Sequence, residues 1–241
     1  GELLEASELV AFQRRWNIAA GEAIATAEYF HRAGVHKEIA NRVLEPFMFV
    51  DVVITATEWT NFLALRTAGD TQGEHAFLAK AIYLALIGST PKQVREGEWH
   101  LPFIGPEDEE FARLMVQRDS YRSQYPSPML KIEPMTWTLA RWSAARCARV
   151  SYLLLDKPEK PTPEDDDSTW DKLNGHPKHA TPMGHVAQAV DPLPGQRSQL
   201  KSWTQMRKLI RGEHIDRFQP DPAEVRRWVR EIPEEVFIGS W

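Results

Sequence analysis

Polar residues that could bind a planar ligand are concentrated in the segment 56–66. Glu58, Asn61 and Arg66 are spaced along a helix that is entered directly from a strand, which places polar groups at the strand end. An asparagine amide both donates and accepts hydrogen bonds, and a guanidinium presents a fork of donors to a planar edge. The plainer alternative is that Asn61 is a polar residue on a helix face and that Arg66 interacts with the dipole at the helix C-terminus.

A second group of chemically capable residues follows about eighty positions later. It consists of 146–152, which contains Arg146 and Arg149, and of 179–185, which lies beyond an acidic stretch. Arginine forms forked hydrogen bonds to phosphate, and Ser and Thr hydroxyls add further donors. The pattern therefore predicts that these arginines bind phosphate groups.

Several common chemistries find no support in the sequence. The thirteen glycines form neither a GxGxxG nor a GxxxxGK[ST] loop, so dinucleotide-binding and P-loop enzymes are disfavoured. His176, His179 and His185 match no zinc spacing, and no HExxH accompanies them, so no metal is expected. Cys147 lies in an apolar helical stretch, where a cysteine is usually inert rather than nucleophilic.

Composition sets the broad class of protein. The chain has 241 residues, 42% of them apolar, which is enough for a substantial core. A net charge of −5 provides no positive field to hold a nucleic-acid polymer. A single cysteine excludes an internal disulfide framework, and neither a signal segment nor a membrane span is recognisable. We therefore expect a cytoplasmic protein with no membrane partner.

Hydrophobic periodicity predicts the elements that position these residues. A long amphipathic helix is expected over 7–32, stopped by Gly34, and the β-branched and aromatic segment 47–57 is expected to be a buried strand. Shorter helices are predicted over 36–44, 58–66, 75–86, 108–117, 138–150, 170–174 and 222–230, a strand over 185–190, and a further element over 198–209.

The remaining segments are predicted to be loops of a single domain that covers residues 1–241. Proline pairs are frequent in 89–134, which predicts a loop-rich insertion outside the core. The run of prolines and acids at 156–167 contains almost no apolar residue and predicts a mobile acidic loop.

Two blocks of the chain resemble the flavin-dependent thymidylate synthases. The segment 34–46 is similar to the family's "(V/I)PREvAR.vLP", and 61–66 is similar to its "NFl.LR". The segments 149–152 and 179–185 are similar to its "aRVSf" and "H.TPFEH". The two blocks occur in the opposite order to that of the family, as in a circularly permuted member of the kind found in bacteriophages.

The resemblance implies an α+β fold in which a twisted antiparallel sheet packs against helices, assembled as a homotetramer with flavin sites built from several subunits. It implies that reduced FAD and methylenetetrahydrofolate convert dUMP to dTMP, with NADPH reducing the flavin. Matched to the family motifs, Asn61, Ser151, His179 and Thr181 would contact FAD.

The substrate residues also follow from the resemblance. Arg66 would be both a dUMP-binding and a catalytic residue, stabilising negative charge that develops on the pyrimidine. Arg42 would make a further dUMP contact, although a gap of one or two residues near Pro46 would place Asn41 there instead.

The chain also departs from the family pattern. The family signature "RHRxxSxNxxSxR" does not occur, and 203–208 resembles it only distantly, so we expect an N-terminal segment that carries it to be missing from this sequence. The family's "NAR" is replaced by 55–57 (Thr-Ala-Thr), and its histidine after the "LR" motif by Asp70. These changes would alter how the flavin is bound.

Two alternatives to a thymidylate synthase stay open at the level of sequence. One is an enzyme of the same fold that hydroxymethylates dUMP or dCMP. The other is a relative that binds flavin or nucleotide without catalysis.

Overall fold

The computed structural model describes residues 5–117, 132–150, 162–175, 177–192, 200–213 and 220–231. Internal contacts divide the chain into two compact units, Gly1–Val52 and Val53–Trp241. Each unit is described by itself below. The expectation of a single domain over the whole chain stays a prediction.

The first unit is built on the predicted long helix, α1, which covers Ala6–Arg32. The helix ends before Gly34, whose φ of 77° is the left-handed conformation that glycine adopts most easily. A short helix, α2 (Lys37–Ala40), leads into a 3₁₀ helix (Asn41–Phe47). Phe47 packs edge-on against Trp16 of α1, with ring centroids 4.9 Å apart.

The predicted buried strand over 47–57 is wrong. Residues 48–59 belong to no helix or strand, and Phe49, Val50 and Val52 are exposed. Residues with strand propensity form a strand only against a hydrogen-bonding neighbour. The part of the chain that the structure describes provides no such neighbour for this segment.

The second unit contains a three-stranded antiparallel sheet in the order β1 (Trp99–His100), β2 (Ala187–Gln188), β3 (Thr204–Gln205). Trp99 pairs with Gln188, and Gln188 in turn pairs with Thr204. The protein is thus rich in helix with a small antiparallel sheet, which is consistent with the predicted α+β class. β2 lies inside the predicted strand 185–190.

Six helices of the second unit lie close to their predicted positions or extend them. They are α3 (Thr60–Arg66), α4 (Gly73–Gly88), α5 (Pro106–Val116), α6 (Pro134–Ala148), α7 (Pro163–Leu173) and α8 (Pro222–Glu231). Short 3₁₀ helices cover Pro182–Gly184 and Met206–Leu209. None of the described helices combines the length and apolar character needed to cross a bilayer.

The core of the second unit is centred on α6. Trp137 of α6 packs edge-on against Trp170 of α7, with ring centroids 5.8 Å apart. Met183, Val186 and Met206 are fully buried in the same cluster, which lies beside the sheet. Trp99 of β1 packs against this cluster.

The segment 89–134 contributes more to this core than its prolines predict. It supplies strand β1 and helix α5, whose Ala112 is fully buried against Leu139 and Trp142 of α6. Trp99, Leu101 and Ile104 from the same segment also pack against the core.

The acidic stretch 156–167 was predicted to be a mobile loop, and for residues 163–167 that prediction is wrong because they form the first turns of α7. Thr162 caps this helix by accepting a hydrogen bond from the backbone N–H of Asp165 at 3.3 Å. Asp165 accepts one in return from the Thr162 N–H at 3.0 Å. Carboxylates in a first turn also interact favourably with the helix dipole, so the acids favour this helix start. Residues 156–161 lie outside the described ranges.

Candidate functional site

A direct hydrogen bond joins the segment before α3 to the second of the two sequence blocks that carry the family resemblance. The hydroxyl oxygen Oγ1 of Thr55 lies 3.0 Å from Nδ1 of His185. Thr55 belongs to the segment that leads into α3, and His185 follows the 3₁₀ helix Pro182–Gly184. Both side chains are half-buried. Residues 130 positions apart in the sequence are thereby held at one place in the fold.

Residues 201–205 contact both the segment before α3 and the 3₁₀ helix Pro182–Gly184. The backbone N–H of Lys201 donates to Oγ1 of Thr57 at 3.0 Å, and the Lys201 ammonium group donates to Glu58 at 3.0 Å. Two residues after Trp203, the side chain of Gln205 donates to the carbonyl oxygen of Gly184 at 2.6 Å. Three stretches that are distant in sequence therefore meet beside the sheet.

A cleft of about 550 Å³ opens at this meeting point. Its walls are mostly aromatic and aliphatic, and a few polar residues line it as well. The lining consists of Thr55, Ala56, Thr57, Pro91, Lys92, Val94, Trp99, His100, Leu101, Ile104, Glu109, Leu200 and Trp203. This size and this balance of apolar walls with few polar groups are typical of small-molecule sites.

Two histidines lie at or next to this cleft, and burial lowers the pKa of both. Desolvation lowers the pKa of His100, and it also lowers the pKa of His185, with a further lowering from the positive charge of His100. Each imidazole is therefore neutral at physiological pH and presents one donor and one acceptor. The His100 ring stands at 75° to the ring of Trp203, with centroids 6.3 Å apart.

Arg66 lines a different cleft, of about 590 Å³, at the turn between α3 and α4. The other polar residues that line this cleft are Asp70, Thr71, Gln72 and His75. The Thr71 hydroxyl donates to the carbonyl oxygen of Leu65 at 2.9 Å. Arg66 is exposed at the C-terminal end of α3, and no described carboxylate forms an ion pair with it. This cleft offers a guanidinium, an imidazole and an amide to a polar ligand.

The other described site residues predicted from the sequence are not among the residues that line these two clefts. Asn61 is exposed on α3, His179 and Thr181 are exposed in the segment before the 3₁₀ helix Pro182–Gly184, and none of the three lines either cleft. Arg42 is exposed on the 3₁₀ helix of the first unit, as is its alternative, Asn41. Ser151 lies outside the described residues.

The prediction that Arg146 and Arg149 bind phosphate is wrong for the structure as described, because both are occupied by protein acceptors. Arg146 donates to Asp166 at 2.9 Å and to Asp108 at 2.6 Å. Arg149 pairs with the other carboxylate oxygen of Asp166 and donates to the Thr169 hydroxyl at 2.8 Å. These arginines therefore bind the helices α5, α6 and α7 to one another.

Burial and charge oppose each other in this network. Burial alone would lower the pKa of Arg146, but the carboxylates of Asp108 and Asp166 outweigh it and raise that pKa. Burial raises the pKa of the Asp166 carboxyl, while the positive charges of Arg146 and Arg149 act in the other direction. Removal of one partner from a buried ionic network strongly destabilises the folded protein, because it leaves a buried charge without compensation.

Cys147 is buried, as expected for a residue of an apolar helical stretch. Burial raises the pKa of its thiol to about 12, so the reactive thiolate is not formed at neutral pH. Within the described ranges, no three His, Cys, Asp or Glu side chains are grouped so that they could hold a metal ion. His176, a member of the histidine cluster in the sequence, lies outside those ranges.

The residues of the aromatic cleft fit the ring part of a flavin. A flavin ring is bound best between largely apolar walls, and Trp99, Leu101 and Trp203 are part of such walls here. Lys92 is the basic residue among the described lining of this cleft. The phosphates of a dinucleotide would therefore need cations beyond that lining.

Sequence reasoning missed three lining residues, His75, His100 and Trp203. His75 comes beside Arg66 only through the turn between α3 and α4, and His100 comes beside Trp203 only through the pairing of the sheet. The only sequence feature that pointed to Trp203 was its place in the segment 203–208, which distantly resembles the family signature.

No family model, no curated protein and no solved structure matches this chain.

Proposed function

We propose that this protein is a flavin-dependent thymidylate synthase, which converts dUMP to dTMP with methylenetetrahydrofolate and NADPH. The observation that carries the proposal is the hydrogen bond between Thr55 and His185, 3.0 Å long. It joins the block 179–185 to the segment 55–57, which directly precedes the helix that carries the block 61–66. In a permuted chain, blocks in reversed order would need to meet in space to build the same site.

FAD is the cofactor of the proposed reaction, and Asn61, Ser151, His179 and Thr181 are the residues proposed to hold it. When bound in its reduced form, FAD would supply the hydride that turns a transferred methylene group into a methyl group. The exposure of Asn61, His179 and Thr181 leaves their polar groups accessible to a ligand. The finer fold proposed with this function is the permuted form of the family's sheet and helix arrangement.

Arg66 is the proposed catalytic residue. Its side chain lines a cleft, is exposed, and pairs with no described carboxylate, so its guanidinium is accessible to a ligand. A guanidinium can donate two parallel hydrogen bonds to the pyrimidine edge and stabilise negative charge there as the ring is activated. Arg42, or Asn41, is proposed as a further contact of dUMP.

Two of the residues at which the chain departs from the family pattern line the Arg66 cleft or contact His185. Asp70, which replaces the family's histidine, lines the same cleft as Arg66, and His75 lines it too. An imidazole is thus present in the cleft from a position five residues later. Thr55, in place of the family's asparagine, is used to hold His185.

The flavin sites of the proposed enzyme are built from several subunits, so we propose a homotetramer. The expected location is the cytoplasm, which is that of the bacterial host if a phage encodes the chain.

The product of the reaction tests the proposal. The protein is incubated with dUMP, and in a parallel sample with dCMP, together with methylenetetrahydrofolate, NADPH and FAD, and the nucleotides are separated and identified by mass spectrometry. Formation of dTMP that depends on added FAD supports the proposal. A hydroxymethylated nucleotide formed from dUMP or dCMP would show that the protein is a hydroxymethylase instead. FAD binding without any new nucleotide would show that it is a non-catalytic relative.

A further inference from the structure

The end of helix α7 carries a pair of residues that can react with each other. The chain has four asparagines, and only Asn174 is followed by a glycine, Gly175. Because glycine has no Cβ, its backbone nitrogen can come close enough to the preceding side chain to attack the amide carbon Cγ. Both residues are exposed to water, and neither lines a cleft described above. The inference below therefore does not rest on the proposed function.

The backbone of Gly175 is held only weakly. Asn174 is the C-terminal cap of α7, with φ −87° and ψ 0°. The N–H of Gly175 donates to the carbonyl oxygen of Lys172 at 3.3 Å, which is longer than the usual range for such a bond. Attack on Cγ requires rotation about ψ of Asn174. That rotation breaks this weak hydrogen bond rather than a bond in the interior of the helix.

The ammonium group of Lys178 lies against the amide that would react. Its Nζ donates to Oδ1 of Asn174 at 2.7 Å and to the backbone carbonyl oxygen of the same residue at 2.8 Å. An ammonium group only donates, so the contact orients the amide with its oxygen toward Lys178. The amide nitrogen Nδ2 has no hydrogen-bond partner among the residues that the structure describes. Water can therefore protonate this nitrogen as it leaves.

The fold holds Lys178 in this place from two sides. The backbone N–H of His179 donates to the carbonyl oxygen of Leu173 at 2.9 Å, which returns the chain to the end of α7. The stem of Lys178 is half-buried, and a Cβ placed on Gly212 would lie 3.9 Å from its Cε. Negative charge develops on Oδ1 when the Gly175 nitrogen attacks Cγ. A donor that is fixed beside this oxygen before the reaction stabilises that charge.

We propose that Asn174 is a site of spontaneous deamidation and that Lys178 accelerates the reaction. The nitrogen of Gly175 gives its proton to water and bonds to Cγ, the Cγ–Nδ2 bond breaks, and ammonia leaves behind a cyclic succinimide. Water then adds to one of the two ring carbonyl carbons and opens the ring. The product is aspartate, or isoaspartate when the main chain runs through the former side chain.

Both products change the end of α7. Aspartate places a negative charge at the C-terminal end of the helix dipole, which is unfavourable, although Lys178 is in place to pair with it. Isoaspartate adds a methylene group to the main chain inside the turn that the hydrogen bond between His179 and Leu173 closes. Ala180, the next residue, is buried in the core. We therefore expect the isoaspartate form to unfold at a lower temperature.

Conversion is followed in the full chain by peptide mapping with mass spectrometry during incubation near neutral pH. Incubation in heavy-oxygen water labels each new carboxyl group, and protein isoaspartyl methyltransferase marks the isoaspartate product. Asn61 is the internal control, because it is exposed on α3 but is followed by Phe62. We expect conversion at Asn174 to be at least about tenfold faster than at Asn61.

Variants test the contribution of Lys178. Lys178→Met keeps the stem and removes the ammonium group, so it should slow the conversion by about 3- to 10-fold, whereas Lys178→Arg should keep most of the rate. Lys172→Met is the matched control and should match the wild type, since it removes an exposed ammonium group from the last turn of α7. In chains unfolded by urea all four proteins should convert at the same rate, because only the fold brings Lys178 to Asn174.

Conversion at Asn174 that is no faster than at Asn61 would overturn the proposal. So would equal rates in folded Lys178→Met and folded wild type, an equal slowing by Lys172→Met, or an effect of Lys178→Met that persists in urea. None of these rates depends on FAD, on dUMP or on turnover.

Discussion

Oγ1 of Thr55 and Nδ1 of His185 lie 3.0 Å apart, although 130 residues separate them in the chain. Thr55 stands where the family's flavin-binding "NAR" would begin, and His185 closes the segment similar to "H.TPFEH". The hydrogen bond gives each side chain a partner in a half-buried setting, and it fixes the segment before α3 against the end of the 3₁₀ helix Pro182–Gly184.

Removal of the Thr55 hydroxyl should destabilise the second unit. Thr55→Val keeps the shape of the side chain and leaves His185 without this partner, so we expect a loss of about 1 kcal/mol in the free energy of unfolding. That corresponds to a fall of about 2–4 °C in Tm for a chain of this size. The matched control is Thr60→Val at the exposed start of α3, which should change Tm by less than half as much. Equal shifts in the two variants would show that the hydrogen bond contributes nothing.

Acidification should destabilise the protein through His100 and His185. Both have a pKa lowered below 6.5 in the folded protein, so between the folded pKa and 6.5 the unfolded chain binds more protons. Stability is therefore fully present above pH 6.5 and falls as the pH falls through that window. We expect Tm to decrease as the pH is lowered from about 6.5 to about 5.5. The decrease should be smaller in His100→Gln and in His185→Gln, and should persist in the control His31→Gln, whose side chain is exposed on α1. A pH dependence that is the same in all four proteins would contradict this account.

Asp166 should be among the most sensitive positions for stability. Its side chain is fully buried between Arg146 and Arg149, and Asp166→Asn removes the charge that both guanidiniums face. We expect a loss of about 3 kcal/mol, measured by urea denaturation. Glu164→Gln is the control, because it removes the same charge from the first turn of α7 at an exposed position and should cost no more than about 0.5 kcal/mol. A similar midpoint for both variants would be inconsistent with a buried ionic network.

Self-association is expected from the apolar side chains that the first unit exposes. Phe49, Val50 and Val52 are close together in the sequence and exposed. A group of exposed apolar side chains of this kind is typical of a surface that another subunit covers on assembly. Light scattering coupled to size exclusion should give about four times the chain mass of 27.6 kDa. Phe49→Ser should lower the measured mass without lowering Tm of the dissociated form. A monomer at micromolar concentration, with FAD present, would count against the homotetramer.

Helices with a regular apolar face could be predicted from the sequence, because their periodicity is a local property. Helix α1 is the clearest case, including its end before Gly34. The segment 47–57 shows the limit of composition, since a strand also needs a neighbour that local sequence does not specify. Helix α7 shows a different limit, because the cap at Thr162 and the favourable first-turn acids outweigh the absence of apolar residues there.

The candidate site was less predictable than the fold, for a physical reason. Arg146 and Arg149 have the residue type for phosphate binding, yet their nearest acceptors are the carboxylates of Asp108 and Asp166, which only tertiary packing brings to them. His100 and Trp203 belong to segments that only the sheet pairing brings together.

The release of tritium from dUMP labelled at C5, in the presence of FAD, NADPH and methylenetetrahydrofolate, tests the central claim most directly when wild type is compared with Arg66→Lys. Lysine keeps the charge but cannot form two parallel hydrogen bonds, so kcat should fall roughly 10²-fold or more while Tm changes little. Arg113→Lys, at an exposed arginine of α5, should match the wild type. No tritium release by the wild type, or near-normal release by Arg66→Lys, would contradict the account.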